Sequence, residues 1–477
     1  MTQMMQTGGL QRVFWWTAAS LLGLAIAYRF LSYFRSPVVL GALILIEVIL
    51  AGLWHFEKVY FPLLIVVFVW AGTNMPIAGA MGTARWLVLG VGAIAGTFLW
   101  LREKNQSFTA LHLAAFFVVA EALVSAIVSS DPYGSLLKVS SLFLLFLYGS
   151  TGARLVIAGR EQIFLREVLR GCQIIVFLSA FAYAIGWMVW GNPNSLGAVI
   201  GIAVMPIVLW GFLIAETSYQ RCWSLVAILI CIALLYLSLS RASILAACVS
   251  TTVLLICLRR QRLLLKGALL LAILLGIGGV LEPSRIESFT STLTDTLLYK
   301  GKQDEGVLGS RESPWNDTVA SLKQHPWFGS GWGTSDIGRK VKFAQISVLG
   351  GISSADENRE HGSSYLAIAE YVGFIGIVPF AFLFFLVLRM IFQICLWMRR
   401  TSNPHHPAIP LAMMLCAGLV HAFFEDWMSA PGSYLCVFFW AGVFLLNDLM
   451  PEHQSLRLKA PSPAHPRVAA DMLVSTR

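Results

Sequence analysis

The sequence predicts an all-α polytopic membrane protein of about fourteen transmembrane helices with one long extracytoplasmic loop. Three observations predict it. Hydrophobic residues make up 57% of the chain and charged ones only 12%, with a mean hydropathy of +0.73; a soluble domain carries about 25% charged residues. Apolar runs of about 17–25 residues recur from end to end, the length a helix needs to cross a bilayer. One polar stretch, from Leu281 to about Gly376, gathers Arg, Trp, His, Glu and Gly-rich turns in a single large segment. A β-barrel would show short alternating segments instead.

Taken in order, the apolar runs fall near 13–32, 38–54, 59–75, 86–101, 108–128, 134–153, 172–190, 195–216, 222–239, 242–258, 264–281, 364–397, 408–428 and 433–449. Only Ser240-Arg241 parts the ninth from the tenth. The organisation that follows has N-terminal helices over 1–171 and central helices with the Arg241 corner over 172–281. A large periplasmic loop spans 282–363, C-terminal helices 364–449, and a cytoplasmic tail 450–477. The tail is rich in Pro, His and Lys/Arg and reads as disordered. No internal repeat stands out. Phe14 to Tyr28 is apolar but lacks a small-residue cleavage site, so no cleavable signal peptide is read there.

Orientation comes from the basic loops. The net charge of +9 concentrates in clusters. One holds Arg154, Arg160, Arg166 and Arg170; another Arg259, Arg260, Arg262 and Lys266; a third Arg399 and Arg400; the tail adds Arg457, Lys459, Arg467 and Arg477. Counting spans puts all of these on one side, read as the cytoplasm, with both termini there and Arg241 and the long loop outside. Arg29, Arg35 and Arg85 sit against the rule. No basic face on a soluble module suggests nucleic acid. The eight cysteines lie in or beside apolar runs, which suits small core residues rather than disulfides or a thiolate metal site.

Arg241 stands at the outer end of two spans. An arginine there can snorkel to headgroups, but the charge bias disfavours an outer Arg unless it holds an anion. In the loop, Ser313 and Pro314 read as a helix start, an N-cap hydroxyl followed by Pro at the first helical position. Trp315, Val319 and Leu322 then share a face, and His325-Pro326 ends the helix. Arg311 would precede that helix N-terminus, where free N–H groups and the dipole favour a phosphate. The plain alternative is a surface helix with a solvated Arg. Gly329, Gly331 and Gly333 permit a tight turn. Further on, His361 and Tyr365 are four apart and are expected to share a helix face at the water–lipid boundary. A histidine there is either a base or an ordinary interfacial residue.

Glu47, His112, Glu121 and His421 fall inside predicted spans, which keeps open an ion or proton pathway as well as pairing within the bundle. Glu425-Asp426-Trp427 can face the same external cavity as the loop. Phosphate-cradling G-x-x-x-x-G-K-[ST], H-E-x-x-H and an external D-x-D pair are all absent from the sequence. A diphosphate bound outside would have to be neutralised by Arg.

The ordered set Asn192-Pro193-Asn194-Ser195-Leu196-Gly197, Ser240-Arg241-Ala242, Arg311 to Trp315, Pro326 to Gly333 and His361 to Gly376 resembles the bacterial O-antigen ligase and Wzy-type polysaccharide polymerase superfamily. The resemblance implies a metal-independent glycosyltransferase with a class C membrane fold and no cofactor. Such enzymes transfer a glycan from undecaprenyl diphosphate at the periplasmic face of the bacterial inner membrane. It implies that Arg241 and Arg311 bind the diphosphate and that His361 is the catalytic base, with Trp315, Tyr365, Glu370 and Asn194 in support. Expected partners are the lipid-linked oligosaccharide, a glycan or lipid A–core acceptor, membrane lipid, and chain-length regulator or export proteins. Polymerisation of an O-antigen or exopolysaccharide is the first reading. Ligation to lipid A–core is the second, and a lipid-linked oligosaccharide flippase the third. About fourteen spans and Gly362-Ser363-Ser364 after the histidine depart from the family pattern, which leaves the acceptor open.

Overall fold

The computed structural model describes residues 37–102, 108–267, 269, 309–334, 346–347, 351–352 and 361–451. The chain divides into two units, Met1–Tyr60 and Phe61–Arg477. In the first, α1 (Pro37–Trp54) leads into a π-helical turn, Phe56–Tyr60, whose two rings stack at 4.8 Å. Glu47 is exposed on α1.

The second unit runs through α2 (Phe61–Ala71), α3 (Ala78–Arg102), α4 (Ala110–Val128), α5 (Pro132–Ser150), α6 (Gly152–Ile157) and α7 (Glu161–Ala184). Then come α8 (Pro193–Ala198), a π-helical turn Val199–Val204, α9 (Met205–Ile214), α10 (Ser218–Ser238) and α11 (Arg241–Cys257). The loop supplies α12 (Gly309–Gln324) and two short antiparallel strands, β1 (Ile346–Ser347) and β2 (Gly351–Ile352). The last described elements are α13 (Ser364–Thr401), α14 (Ala408–His421) and α15 (Tyr434–Asp448).

Several helices start where the sequence supplies caps. Asp131 accepts from the Gly134 N–H at 3.1 Å ahead of Pro132, and Asn192 accepts from Ser195 at 2.8 Å ahead of Pro193. Thr217 and Gln220 form a reciprocal capping box on α10. The faces sort by size. On α4, Ala114, Val118, Ala122, Ser125 and Ala126 are buried while Leu113, Phe116, Phe117 and Ile127 are exposed. Large apolar groups outward and small ones inward is the pattern of a helix set in lipid, where close packing holds helices together.

Six helical segments among the described residues are long and apolar enough to cross a membrane: Ala78–Arg102, Ala110–Val128, Pro132–Ile157, Pro193–Ile214, Ser218–Ser238 and Ser364–Thr401. Shorter apolar helices cover Gly41–Trp54, Arg241–Cys257, Ala408–His421 and Tyr434–Asp448. The predicted span at 13–32 and most of that at 264–281 lie outside the described residues, as do Arg29, Arg35, 357–360 and the tail after 451. The other predicted spans overlap helices in whole or in part.

Several expectations are corrected. The helix read from Ser313 begins at Gly309, so Pro314 sits inside it and Arg311 lies in its first turn. The 408–428 run stops being helical at His421, and a turn-rich stretch follows. The stretch read as one basic loop is largely α6 and α7. Arg154 is buried there, donating to both Asp448 carboxylate oxygens at 2.6 and 2.8 Å; the paired carboxylate is what lets a guanidinium leave water. Arg85 likewise points inward, donating to the Gly432 carbonyl at 2.7 Å.

The run read as one span at 364–397 carries a break. Gly373 has φ 66° and ψ −172° inside α13. A broken helix leaves backbone groups without partners, a cost that lipid cannot relieve. The loop turn after α12 relieves it. Ser330 and Gly331 N–H groups donate to the Glu370 and Tyr371 carbonyls at 2.9 and 3.2 Å; Phe374 and Ile375 donate to Pro326 and Trp327 at 2.7 and 3.1 Å. Ser129 Oγ donates to the Ser330 carbonyl at 3.0 Å and Ser135 Oγ to that of Trp332 at 2.9 Å, while Ser125 reaches the Tyr371 carbonyl and Lys138 that of Gly333. The turn is therefore stitched into the bundle between α4, α5 and α13.

Candidate active site

Three pieces of chain meet at one end of the bundle. The first is the corner between α10 and α11. Leu239 takes a left-handed conformation at φ 49°, Ser240 caps α11, and Arg241 is its first residue. Ser240 and Ser243 hydroxyls are 2.7 Å apart. Gly197 packs so tightly that a Cβ there would lie 2.6 Å from that of Ser240. The Asn192–Gly197 turn is thus seated on the corner. Asn192 is its cap, and Asn194 is exposed on α8.

The second piece is the start of α12. Arg311 forms an ion pair with Glu425. Its side chain also lies against residue 362: a Cβ on Gly362 would be 3.3 Å from Arg311 Cδ. One turn on, Trp315 Nε1 donates to the Gly362 carbonyl at 3.2 Å. Arg311 and Trp315 thus grip the residue beside the histidine.

The third piece is His361, only 3% exposed. Its Nδ1 is 2.8 Å from Asp426 Oδ2, and its backbone N–H donates to the same oxygen at 3.0 Å. The ring edge meets Tyr371 at 5.2 Å. Nε2 is 3.4 Å from Oε2 of the fully buried Glu370. That is ion-pair range without hydrogen-bond alignment, and Nε2 makes no hydrogen bond among the described residues. Asp426 takes the Nδ1 side of the ring, which leaves Nε2 buried beside Glu370. His361 precedes α13, whose first residue is Ser364. It therefore does not share a helix face with Tyr365, which turns to α14 and donates from its hydroxyl to the Leu419 carbonyl at 2.9 Å.

The guanidinium charges of Arg241 and Arg311 lie close enough to act on one another, and the Arg311 charge also reaches His421. Arg311 already carries one carboxylate partner, Glu425. Of the other intramembrane groups, His421 alone adjoins this cluster. It is 2% exposed; Trp427 Nε1 donates to its Nδ1 at 3.0 Å, and its Nε2 is 3.2 Å from Ser243 Oγ. His112 pairs with Arg154 at 3.0 Å near the far end of the bundle. Glu121 faces the α13 break, with its Cγ 2.8 Å from a Cβ placed on Gly376. Among the described residues no group of three or more His, Cys, Asp or Glu is placed to hold a metal ion.

Sequence reasoning missed Asp426 as the partner of His361. The available signal was an acidic pair, Glu425-Asp426, directly after an apolar run. It also missed Ser125, Ser129 and Ser135 as hosts for the loop turn, since serines in apolar helices read as filler.

Fold and site together suggest a multi-pass membrane protein with a charged, histidine-bearing cluster at one end of its helices. Residues 226–381 match the model of a family described as O-antigen ligase, Wzy_C. That agrees with the resemblance read from the motifs. No curated protein matches the chain. The matched stretch contains Arg241, Arg311, His361 and Glu370; Asn194, His421, Glu425 and Asp426 lie outside it.

Proposed function

We propose that this protein is a metal-independent glycosyltransferase that extends a polysaccharide from undecaprenyl-diphosphate-linked units. The convergence of Arg241 and Arg311 beside His361 carries the reading. An acceptor hydroxyl approaches the anomeric carbon of the lipid-linked sugar. His361 Nε2 takes its proton as the new C–O bond forms. The bond from that carbon to the diphosphate breaks, and the diphosphate keeps the electron pair. Arg241 and Arg311 meet the charge that grows on the departing oxygen, where fixed cations act most strongly. Asp426 holds Nδ1–H, presents the Nε2 lone pair and stabilises the imidazolium, as a carboxylate does in hydrolytic triads. Glu370, beside Nε2, faces the same positive charge. Base assistance of this kind supplies about 10²–10⁴-fold.

The site faces the periplasm in this proposal. α11 begins at Arg241 and is followed by Arg259 and Arg260; α13 follows His361 and ends with Arg399 and Arg400. The basic clusters thus sit at the helix ends remote from the site, which supports a cytoplasmic location for them in an inner membrane. The Gly362-Ser363-Ser364 sequence favours a growing glycan as acceptor; the family description favours lipid A–core as the second reading. Chain-length regulators or export proteins are proposed partners.

Purified protein in lipid, given undecaprenyl-diphosphate oligosaccharide alone, should form longer lipid-linked chains. Product that forms only when lipid A–core is added would replace polymerisation by ligation. No transfer with either acceptor would remove the enzyme reading.

A further inference from the structure

Trp427 and His421 decide a tautomer between them. An indole N–H only donates, so the 3.0 Å contact from Trp427 Nε1 makes His421 Nδ1 an acceptor. The imidazole is then neutral and its hydrogen is on Nε2, which donates to Ser243 Oγ at 3.2 Å. Ser243 in turn contacts Ser240 Oγ at 2.7 Å. Those two serines flank Arg241, one as the cap of α11 and one within its first turn. Protonating His421 would set two N–H groups against each other at Trp427, so it is not suited to exchange protons with substrate. Its bonds are mechanical.

The same short stretch does two more things. Glu425 pairs with Arg311 and Asp426 with His361. Every arm of the proposed site is therefore attached to residues 421–427, which lie outside the matched family domain. We infer that His421 is a positioning residue: the relay from Trp427 through His421 to Ser243 and Ser240 fixes the Arg241 guanidinium relative to Arg311 and His361. The inference rests on the proposed diphosphate clamp.

The test separates the two ideas. Inorganic pyrophosphate is titrated into detergent-purified protein and the unfolding temperature is followed, alongside donor kinetics in lipid. Wild type should be stabilised by pyrophosphate. His421→Leu should fold, lose most of that shift, and lose roughly 10–100-fold in kcat/KM for the lipid-linked donor, as a displaced clamp does. Acceptor KM should not change. A glutamine amide nitrogen reaches about where imidazole Nε2 sits and an asparagine only about as far as Nδ1. His421→Gln should therefore recover both readouts and His421→Asn should not. In an Arg241→Ala background, His421→Leu should add little further loss, because the group it positions is gone.

A wild-type protein indifferent to pyrophosphate would overturn the clamp and the inference with it. A wild-type shift that His421→Leu retains would overturn the inference alone. So would additive losses with Arg241→Ala, or a Gln variant no better than Leu. Should His421→Leu fail to fold, Ser243→Ala removes the relay from its other end. It must then reproduce the loss of shift; a full pyrophosphate response in that variant overturns the inference.

Discussion

Replacing Gly373 with Ala tests whether the break in α13 sets the site. The residue sits at φ 66° and ψ −172°, a region that L side chains occupy only at a cost of about 1–3 kcal/mol. Space is also lacking: an added Cβ would come within 2.5 Å of Gly329 N and of Trp327 C and O. These are backbone atoms of the stitched turn, so a rotamer change gives no escape. The turn cannot yield at Gly329 either. It has φ 72°, and a Cβ there would lie 2.4 Å from the Tyr371 carbonyl carbon. The alternative is for α13 to straighten. Phe374 and Ile375 N–H groups would then return to the Glu370 and Tyr371 carbonyls. Ser330 and Gly331 N–H groups would lose those same carbonyls, and both residues are buried. Each stranded donor costs about 1–3 kcal/mol, so either path destabilises by about 3 kcal/mol or more. Straightening also shifts Glu370 relative to His361, and a displacement of about 1 Å near reacting groups can cost roughly 100-fold in rate. Tryptophan-fluorescence unfolding in detergent and glycan product from isolated membranes are the two assays. Gly90→Ala is the control, since nothing lies within 4 Å of a Cβ there. If Gly373→Ala matches that control in both assays, the break does not govern the site.

Arg311→Lys should lose most activity while still folding, because an ammonium cannot reproduce the guanidinium fork; near-normal product chains would count against diphosphate clamping. Asp426→Asn should lower kcat by about 100-fold or more, through loss of tautomer control at His361, and a normal turnover number would refute its role. Arg154→Leu should destabilise by about 3 kcal/mol, since the part-buried Asp448 loses its guanidinium partner, whereas Arg154→Leu with Asp448→Leu should recover most of that; thermal unfolding of the two variants decides it. EDTA treatment should leave transfer unchanged, and inhibition that Mg²⁺ or Mn²⁺ reverses would point to a carboxylate site outside this cluster.

The apolar runs made most helices legible, because bilayer thickness fixes their length whatever they pack against. The Ser240-Arg241 corner was legible for a similar reason: an arginine between two apolar runs marks a boundary. Helix ends in the loop were less so. Ser313-Pro314 is a sound local start signal, yet α12 begins earlier, at Gly309, where Arg311 is tied to Glu425 and Gly362. Tertiary anchoring outweighs the local cap there. The α13 break was illegible because Gly373 inside an apolar run is tolerated as plain helix; only the carbonyls of a distant turn show why glycine is required. Arg154 misled for the opposite reason. Its charge fits the positive-inside pattern, and its partner, Asp448, lies far along the chain.

A clamp for a diphosphate works only if its cations are already in place when charge develops. A long loop alone supplies this poorly. For the proposed clamp the fixed reference is the stretch after α14, and it is itself anchored in the core. Trp440 Nε1 and Cys436 Sγ both donate to the Met428 carbonyl, at 3.0 and 3.1 Å, and Ser364 Oγ donates to the Glu425 carbonyl at 2.7 Å. Trp440, Cys436 and Ser364 are all buried. The loop helix α12 then docks onto a prepared surface through Arg311 and Trp315 rather than building one. The division of labour has a consequence for specificity. In the proposed enzyme, loop residues that meet the acceptor could change without moving Arg241 or His361, because those two are tied to the stretch after α14. Under the proposed function, one scaffold of this kind would serve either a growing glycan or a lipid-anchored sugar as acceptor, with the donor chemistry held constant.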